Sequence, residues 1–398
     1  MRTHKGLYAL FGIAVILQAC GNAGVLPTNP PSVTETVPGV TAPPVTLPPG
    51  NELTTTVTPG GEFFSSIPFR SGLGFRAPWF ELYFIDPTNP FAQREIGSVD
   101  DLMSASIIAA KQSVDVTTRS LSLESITKAL ITVARRGIPV RVITETDSLT
   151  GRSNFQALMD AGIPVIDDQQ PGLMNDKFIV IDHNQVWTGS VDFNLSGVFR
   201  EYNAAIRIFS PELAANYTKE FDEMFVNNQF GRLVVPETPY PSVTIQGTQV
   251  DVLFSPDDLV VDRLSALLGE AQESIYFLAY SFGSSDLGNI IREKADQGIV
   301  VGGVLESDQV NAEQANPNQA EELDLFRKAG LDIRLDGKPE VMNHKIMIID
   351  GRIVVLGSYD FTNRAENEND ENVLIIYDEK IAQKFMEEFQ RVQSRAEQ

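Results

Sequence analysis

Two stretches of the chain place an asparagine, a lysine and an aspartate at identical spacings. One reads Met-Asn-Asp-Lys-Phe-Ile-Val-Ile-Asp over residues 174–182, and the other reads Met-Asn-His-Lys-Ile-Met-Ile-Ile-Asp over residues 342–350. The asparagines, Asn175 and Asn343, limit the chemistry that these motifs can perform. An amide has no lone pair of useful basicity and does not titrate near neutral pH. Neither residue can therefore attack a substrate or carry protons as a general acid or base.

The second motif has the pattern of a β-strand followed by a hairpin turn. Alternate side chains of a strand share a face, so Asn343 is predicted to point the same way as Lys345, and His344 to the opposite side. An Asp-Gly pair at residues 350–351 is typical of a tight hairpin turn. We therefore expect Asp350, and its counterpart Asp182, to fix turns.

A Gly-Ser pair follows each motif, at residues 189–190 and 357–358. Each pair is predicted to lie where the return strand of the hairpin ends. A residue without a side chain and a hydroxyl can both approach a bound anion closely there. Ser190 and Ser358 are therefore candidate ligand-binding residues.

The paired motifs resemble the two HxKxxxxD motifs of the phospholipase D superfamily, with asparagine in place of histidine in both. The Gly-Ser pairs resemble those that follow each motif in that family, and Glu201 and Glu371 resemble its downstream acidic residue. The resemblance covers about residues 80–395, and every spacing holds in both halves. It marks candidate catalytic positions of two kinds. The degenerate motifs contribute Asn175, Lys177, Asp182, Asn343, Lys345 and Asp350, and the downstream acids are Glu201 and Glu371.

The resemblance implies a mechanism that this chain lacks the groups to perform. In the family, the histidine of one motif attacks phosphorus, the other histidine acts as general acid and then base, and the two lysines neutralise the phosphate oxygens. A second departure is Asp192 and Asp360, which stand where the family usually has an asparagine that contacts phosphate. Two carboxylates there offset the lysine charges and weaken a phosphate site, although both aspartates remain candidate ligand-binding residues.

The remaining histidines do not replace the missing ones. His344 has the wrong strand parity, and His183 lies beyond the first motif with no counterpart in the second half. His4 falls in the N-terminal segment. Only a local bulge would bring one of them into the site, and the simplest interpretation of His344 is a packed strand histidine.

The lysines have two interpretations at this point. Lys177 and Lys345 either retain anion binding or pair with Glu201, Glu371 or the two aspartates in a buried charge network. The motif asparagines and aspartates offer enough oxygens for Ca²⁺, but two nearby ammonium groups oppose a cation. We therefore expect no metal and no cofactor. Acids at predicted strand ends, among them Glu145 and Glu306, are either ligands or solvated.

The motifs sit in two halves that repeat the same order of elements. Strands are predicted at Phe80–Ile85 and Val250–Phe254, and again at Ile138–Ile143 and Ile299–Leu305, with helices between them. Residues 255–258 (Ser-Pro-Asp-Asp) predict the start of a helix. Alternating strands and helices predict an α/β fold with a mainly parallel sheet. We expect two pseudo-symmetric phospholipase D-like α/β/α repeats packed face to face, at residues 62–232 and 249–398.

The N-terminus has the features of an export signal. Arg2 and Lys5 precede an apolar run, and Leu17-Gln18-Ala19-Cys20 resembles a bacterial lipobox. This predicts a signal peptide at residues 1–19 and acylation of Cys20. The protein would then be an exported lipoprotein that is membrane-anchored and extracytoplasmic. The alternative is that Cys20 is a buried cysteine in an ordinary signal sequence. Residues 20–61 are rich in Pro and Thr, which predicts a disordered tether.

The charge balance of the chain limits the classes of molecule that it can bind. The chain has 31 Lys and Arg against 53 Asp and Glu, a formal charge of −22. This negative charge argues against nucleic acid as a partner, because proteins bind nucleic acid mainly through Lys and Arg. The candidate partners are the membrane, through Cys20, and a phosphate-containing ligand or a protein. Three functions remain: a catalytically degenerate binding module, an active phosphodiesterase with altered machinery, and a purely structural surface lipoprotein.

Overall fold

The structure is a computed structural model that describes residues 64–149, 153–233, 236–311, 317–337 and 339–397. The predicted signal peptide, Cys20 and the tether at residues 20–61 lie outside the described residues, so these expectations stay predictions. In the part of the chain that the structure describes, no helix has the length and apolar character needed to cross a membrane.

The first half contains ten strands and six α-helices within the described residues. They are β1 (Ser65–Ile67), β2 (Gly72–Ala77), β3 (Phe80–Ile85), α1 (Val99–Ile108), β4 (Val114–Thr118), α2 (Glu124–Arg135), β5 (Val140–Thr144), α3 (Thr146–Leu149), α4 (Ser153–Asp160), β6 (Val165–Asp167), β7 (Phe178–Ile181), β8 (Gln185–Gly189), α5 (Leu195–Phe199), β9 (Glu201–Tyr202), β10 (Ala204–Phe209) and α6 (Pro211–Asn227).

The second half repeats this order, with α2 and its counterpart each followed by a glycine of positive φ, Gly137 and Gly298. Its described elements are β11 (Ser242–Ile245), β12 (Thr248–Ser255), α7 (Val260–Gly269), β13 (Ser274–Ala279), α8 (Ser285–Asp296), β14 (Val300–Leu305), α9 (Ser307–Asn311), α10 (Pro317–Lys328), β15 (Asp332–Leu335), β16 (Val341–Met342), β17 (Lys345–Ile349), β18 (Ile353–Gly357), α11 (Asn363–Asn367), β19 (Glu371–Tyr377) and α12 (Glu379–Gln393).

Each half builds one large mixed sheet. The first has the order β1-β2-β3-β10-β8-β7-β4-β5-β6 and the second β11-β12-β19-β18-β17-β13-β14-β15. The expectation of a mainly parallel sheet is wrong. In the first sheet, parallel pairing is confined to β4, β5 and β6. In the second sheet, it is confined to β13, β14 and β15. The motif hairpins and the strands that flank them pair antiparallel, because a short turn can join only antiparallel neighbours.

Helices cover both faces of each sheet, and the middle layer is shared. One core cluster contains apolar residues of both sheets together with residues of α6 and α12. Two further clusters lie on the outer faces, under α1, α2 and α4 in the first half and under α7, α8 and α10 in the second. The two pseudo-symmetric α/β repeats thus face each other across α6 and α12, which confirms the predicted fold class.

The helix predicted to start at residues 255–258 begins later. Ser255 is the last residue of β12, the Ser255–Pro256 peptide bond is cis, and α7 starts at Val260. Ser255 pairs with Glu371 in the β12–β19 ladder, so sheet pairing takes the residue that the local pattern assigns to a helix cap. Asp257 therefore lies in a loop between β12 and α7.

Backbone pairing joins the two halves at the motifs. β9 of the first half pairs in parallel with β16 of the second, and Met174 forms the matching bridge with Asp370. The Asn343 N–H donates to the Tyr202 carbonyl at 3.0 Å, and the Asn175 N–H donates to the Asp370 carbonyl at 3.0 Å. Each motif is thus fixed against the opposite half immediately before its lysine.

Candidate functional site

The motif strands β7 and β17 are buried on both faces, which fixes the direction of each side chain. Ile346 and Ile348 face the shared middle core, whereas Met347 and Ile349 face the outer core of the second half. This period of two is the signature of a strand between two apolar layers. The polar residues at the start of each strand are therefore positioned by the apolar residues that follow them.

Asp182 and Asp350 anchor the hairpins to the neighbouring strand. The Asp182 carboxylate accepts hydrogen bonds from the backbone N–H groups of residues 111–113, at 2.6 to 3.2 Å. The Asp350 carboxylate accepts from those of residues 272–274, at 2.7 to 3.0 Å. These N–H donors hold the pKa of Asp350 below its ordinary value, although burial opposes the shift. The prediction that both aspartates fix turns agrees with this geometry.

Each motif asparagine turns its carbonyl oxygen to its own lysine. The Lys177 Nζ donates to the Asn175 Oδ1 at 2.5 Å and to the Asn175 backbone carbonyl at 2.8 Å. In the second motif, the Lys345 Nζ donates to the Asn343 Oδ1 at 2.8 Å. The shared face predicted from strand parity is confirmed for the second motif, where His344 lies on the other side.

Each motif asparagine turns its amide nitrogen to the opposite half. The Asn175 Nδ2 lies 2.8 and 3.0 Å from the two carboxylate oxygens of Glu371. The Asn343 Nδ2 lies 3.2 Å from Glu201 Oε2 and 3.1 Å from Asn203 Oδ1. The two motifs and the two downstream glutamates thus converge at one place between the halves.

The lysines also pair with the aspartates that depart from the family pattern. The Lys177 Nζ lies 3.6 Å from Asp192 Oδ1, and the Lys345 Nζ lies 3.3 Å from Asp360 Oδ1. Both lysine side chains are only 3% exposed. Each ammonium donates hydrogen bonds to its motif asparagine and forms an ion pair with its aspartate, although Asp192 Oδ1 and Asp360 Oδ1 accept no hydrogen bond within the described residues. Of the two interpretations left open by the sequence, the geometry matches the buried charge network.

Electrostatics at this centre leave no surplus of positive charge. Burial and the Asp360 carboxylate raise the pKa of Glu371 to about 8, although Lys177 opposes the shift. Burial and Asp192 raise the pKa of Glu201. Burial lowers the pKa of Lys177, against the attraction of Asp192. The two aspartates by themselves balance the two lysines, so an added anion gains little attraction from this centre.

The side chains of Ser190 and Ser358 form hydrogen bonds inside the protein. The Ser190 Oγ donates to Asn203 Oδ1 at 2.6 Å, and the Ser358 Oγ accepts from the Asn372 backbone N–H at 3.0 Å. Both serines are almost fully buried. They attach the end of each hairpin to the next strand, and their role in ligand binding stays a prediction.

Two buried acids have a positioning role that the sequence did not reveal. The Glu145 Oε2 accepts from the Met174 backbone N–H at 3.0 Å, and the Glu306 Oε2 accepts from that of Met342 at 2.6 Å. Each therefore fixes the residue before a motif asparagine. Their symmetric placement after β5 and β14 was the available signal, but strand-end acids are usually solvated.

The histidines lie outside this centre. His344 is fully buried, and its Nε2 lies 2.7 Å from Glu388 on α12. The His183 Nε2 contacts Ser113 Oγ at 3.2 Å in the turn after β7. Neither touches the motif lysines or asparagines, as strand parity predicts for His344.

A cleft of about 660 Å³ opens beside the motif centre. Asn175 and Asp360 are the only predicted site residues that line it, whereas both motif lysines lie beneath its surface. The other described lining residues come from both halves: Arg119, Leu173, Arg232, Tyr280, Ser281, Gln309, Asn318, Thr362, Asn363, Arg364, Asn367, Glu368 and Asn369. The cleft therefore gives solvent access to one amide and one carboxylate of the degenerate site.

Arg119 is the unpaired cation of this cleft within the described residues. It follows β4 and is exposed, and its guanidinium has no hydrogen bond or ion pair in that part of the chain. By contrast, Arg232 pairs with Glu368 at 3.1 Å, and Arg364 lies 3.8 Å from the same carboxylate. Arg119 belongs to no sequence motif, and its place in the cleft depends on how the sheet folds.

The comparison with protein families matches both halves of the chain. The matching family is described as cardiolipin synthase, PLD-like domain, and it covers residues 103–225 and 264–393. These two segments make up more than half of the chain and contain one motif each.

Curated relatives match about a third of the chain. A mitochondrial cardiolipin hydrolase of Chlamydomonas reinhardtii is 25% identical over 178 residues, which are 39% of this chain and 77% of that protein. The human mitochondrial cardiolipin hydrolase is 34% identical over 132 residues, 33% of this chain. The match spans only 50% of the human protein. A phospholipase D of Rickettsia conorii is 28% identical over 140 residues, 35% of this chain and 67% of that protein.

Among solved structures, a phosphatidylserine synthase of Haemophilus influenzae has the same fold. The TM-score is 0.59 at 16% identity, over 76% of this chain and 86% of that one. This agreement extends across both repeats, so it supports the two-half architecture rather than one motif. Together with the family match, the paired motifs and their shared centre show that the chain belongs to the phospholipase D-like family.

Proposed function

We propose that this phospholipase D-like protein is catalytically degenerate and acts as a membrane-tethered module that binds a phosphate-containing ligand. One observation carries the proposal: in both motifs the lysine donates to the asparagine that stands in the histidine position. The groups that would attack phosphorus and shuttle protons are absent, and the groups that would hold the phosphate oxygens are engaged by the protein itself.

The contacts of the buried motif lysines oppose the entry of a phosphate. To receive a phosphate, Lys177 would have to leave both Asn175 and Asp192 while it stays almost fully buried. Removing a buried ammonium from its partners costs several kcal/mol unless the incoming ligand replaces all of them. Retained phosphodiesterase activity would need this exchange at both lysines in every turnover.

Ligand binding is supported by the cleft rather than by the motif lysines. Arg119 offers an unpaired guanidinium at its wall, whereas the amide nitrogens of Asn369 and Gln309 already donate to Glu371 and Tyr280. A guanidinium binds phosphate through two parallel N–H donors, which a single lysine cannot do. The relatives are named for cardiolipin hydrolysis and phospholipase D activity, so a phosphodiester head group is the ligand class that we propose.

The tether is supported by the sequence alone. A lipobox ending at Cys20 and a Pro- and Thr-rich segment up to residue 61 would hold the folded part near a membrane surface. Head groups would then be present at high local concentration. A binding module on this tether needs only modest affinity.

A titration of the full-length protein with a soluble phosphoglycerol diester tests the proposal. We expect saturable binding with no hydrolysis product, and an Arg119→Ala variant that binds roughly tenfold more weakly or worse, because a hydrogen bond to a charged group contributes about 1.5–3 kcal/mol. Arg94→Ala is the matched control, because it removes an exposed arginine that does not line the cleft. Equal binding by the Arg119→Ala variant, or release of glycerol, would contradict the proposal.

A further inference from the structure

Three carboxylates meet where the two halves join, on α6 and in the loop after β12. Glu220 and Glu223 lie three residues apart on α6, so they share one face of that helix. Asp257 lies in the loop between β12 and α7. One carboxylate oxygen of each residue lies within 4.8 Å of the others. We propose that Glu220, Glu223 and Asp257 form a binding site for a divalent cation of the Ca²⁺ type, which links the first half to the second.

The fold holds these carboxylates together without a ligand. One helical turn before Glu220, the Tyr217 ring packs edge-on against Phe254 of β12, with centroids 5.1 Å apart. The Asp258 carboxylate accepts from the Phe254 N–H at 2.9 Å and from Thr238 Oγ1 at 3.0 Å, which fixes the loop that carries Asp257. Packing and hydrogen bonds therefore position the helix and the loop that carry these acids.

Two of the carboxylates carry an oxygen without a partner. Within the described residues, Glu223 Oε2 and Asp257 Oδ1 are shielded from solvent and accept no hydrogen bond. Glu223 is only 4% exposed, and its other oxygen, Oε1, is 3.2 Å from the Lys219 ammonium. A buried carboxylate oxygen without a partner is costly, so such an oxygen needs a cation, a proton or a water to stabilise it.

The surroundings add negative charge rather than removing it. Asp176 and Asp370 are also buried, and both act electrostatically on Glu220. Lys219 is shared between Glu223 and Glu237, so one ammonium faces several acids. A bound cation would relieve this repulsion, and so would protons, which makes protonation without metal the competing explanation.

The spacing and the ligand types favour Ca²⁺ over a smaller ion. Ca²⁺ takes six to eight oxygen ligands at about 2.3–2.6 Å in flexible geometry, so ligands on opposite sides of the ion are about 5 Å apart. Three oxygens within 4.8 Å of one another fit inside that shell, and water would complete it. The absence of histidine and cysteine from the cluster disfavours Zn²⁺ and copper. No motif in the sequence points to this cluster, since Asp257 is distant from Glu220 along the chain.

Thermal unfolding and calorimetric titration of the full-length protein, stripped with a chelator, test the site. We expect Ca²⁺ below about 1 mM, the weak end of protein Ca²⁺ sites, to raise the Tm of the wild type and to give a one-site binding isotherm. Mg²⁺ should act more weakly. Asp257→Asn should weaken Ca²⁺ binding by at least about tenfold, and in chelator it should raise the Tm, because it removes one of the repelling charges.

Two further variants keep the result interpretable. Glu223→Gln should lose the Ca²⁺ response in the same way, and Glu293→Gln, which removes an exposed acid on α8, should keep the response of the wild type. A wild type whose Tm and heats do not respond to Ca²⁺ would overturn the proposal in favour of protonation alone. So would an Asp257→Asn variant that binds Ca²⁺ like the wild type. The phosphodiester titration described above does not depend on this outcome.

Discussion

The Asn175 amide nitrogen lies 2.8 Å from a carboxylate oxygen of Glu371, which belongs to the other half of the molecule. Asn343 makes the equivalent contact with Glu201 at 3.2 Å. Each asparagine thus joins its own lysine, through the carbonyl oxygen, to the acid of the opposite repeat, through the nitrogen. A neutral amide makes both contacts at once without carrying charge, so the substituted positions hold the halves together.

Glu371→Gln should flatten the dependence of stability on pH. The pKa of Glu371 is raised to about 8 in the folded protein, against about 4.3 in an unfolded chain. A raised pKa means that the folded state holds the proton more tightly, so this stabilisation is complete below the unfolded pKa and disappears as pH rises through the folded one. Between the two values the wild type should lose up to ~1.4 kcal/mol per pH unit through this group.

Urea unfolding of both proteins across about pH 5 to about pH 8 measures this difference. Asp176 and Glu306 also have a pKa raised to about 7. Both residues are present in the wild type and in the variant, so they contribute equally to the pH dependence of the two proteins. The difference between the two curves therefore isolates Glu371. Parallel curves for the wild type and Glu371→Gln would show that the carboxyl is not protonated in the folded state.

Asp350→Ala should destabilise the second half strongly. The substitution leaves the N–H groups of residues 272–274 without their acceptor, and it places alanine at a residue with φ of 52°. We expect a loss of about 2–4 kcal/mol in the free energy of unfolding. Asp324→Ala, at an exposed acid on α10, should change it by less than about 0.5 kcal/mol. A similarly small change in the free energy of unfolding for Asp350→Ala would show that Asp350 does not anchor the turn.

The same aspartate should confer acid sensitivity. The pKa of Asp350 is lowered in the folded state by its N–H donors. Its stabilising effect is therefore present above the unfolded pKa, about 3.9, and is lost as pH falls through the lower folded value. Acid unfolding monitored by circular dichroism should show a shallower loss of stability for Asp350→Asn than for the wild type. An unchanged acid profile would contradict the prediction.

Restoring histidines alone should not restore turnover. In the double variant Asn175→His with Asn343→His, the lysines still face Asp192 and Asp360. Adding Asp192→Asn and Asp360→Asn releases both lysines for phosphate oxygens, so only the fourfold variant should hydrolyse a chromogenic phosphodiester at a rate several orders of magnitude above background. Equal activity of the double and fourfold variants would show that the aspartates do not block the site.

Cys20→Ser should release the protein from the membrane. If the lipobox is used, the wild type incorporates a fatty-acid label and sediments with membranes, and the serine variant does neither. Fractionation of bacteria fed with a labelled fatty acid measures both properties. A variant that still sediments with membranes would show that another segment provides the attachment.

Local pattern predicted the parts of the site that depend on neighbouring residues. The strand Phe80–Ile85, the hairpin turn at Asp350 and the opposite directions of Lys345 and His344 all follow from a period of two and from turn chemistry. The two-repeat fold followed from the duplication, because the strands and helices around the motifs recur in the same order. These features need no knowledge of contacts distant in sequence.

The remaining features depend on long-range pairing that one sequence does not disclose. Ser255 looks like a helix cap but ends a strand, because β19 pairs with it. Glu145 and Glu306 resemble surface acids until the fold buries them against the motif backbone. Arg119 carries no motif, and the cleft it lines forms only when both sheets are in place. Strand direction was mispredicted for the same reason.

The most direct test of the account is a comparison of phosphodiester hydrolysis by the wild type and by Lys177→Ala with Lys345→Ala. The double lysine variant defines the background, because it removes both motif lysines, which would hold the phosphate oxygens during hydrolysis. We predict that the wild type is no faster than this background and that its intact mass shows no phosphoenzyme during the reaction. A wild-type rate that falls when the lysines are removed would contradict the account and make the protein an active phosphodiesterase with altered machinery.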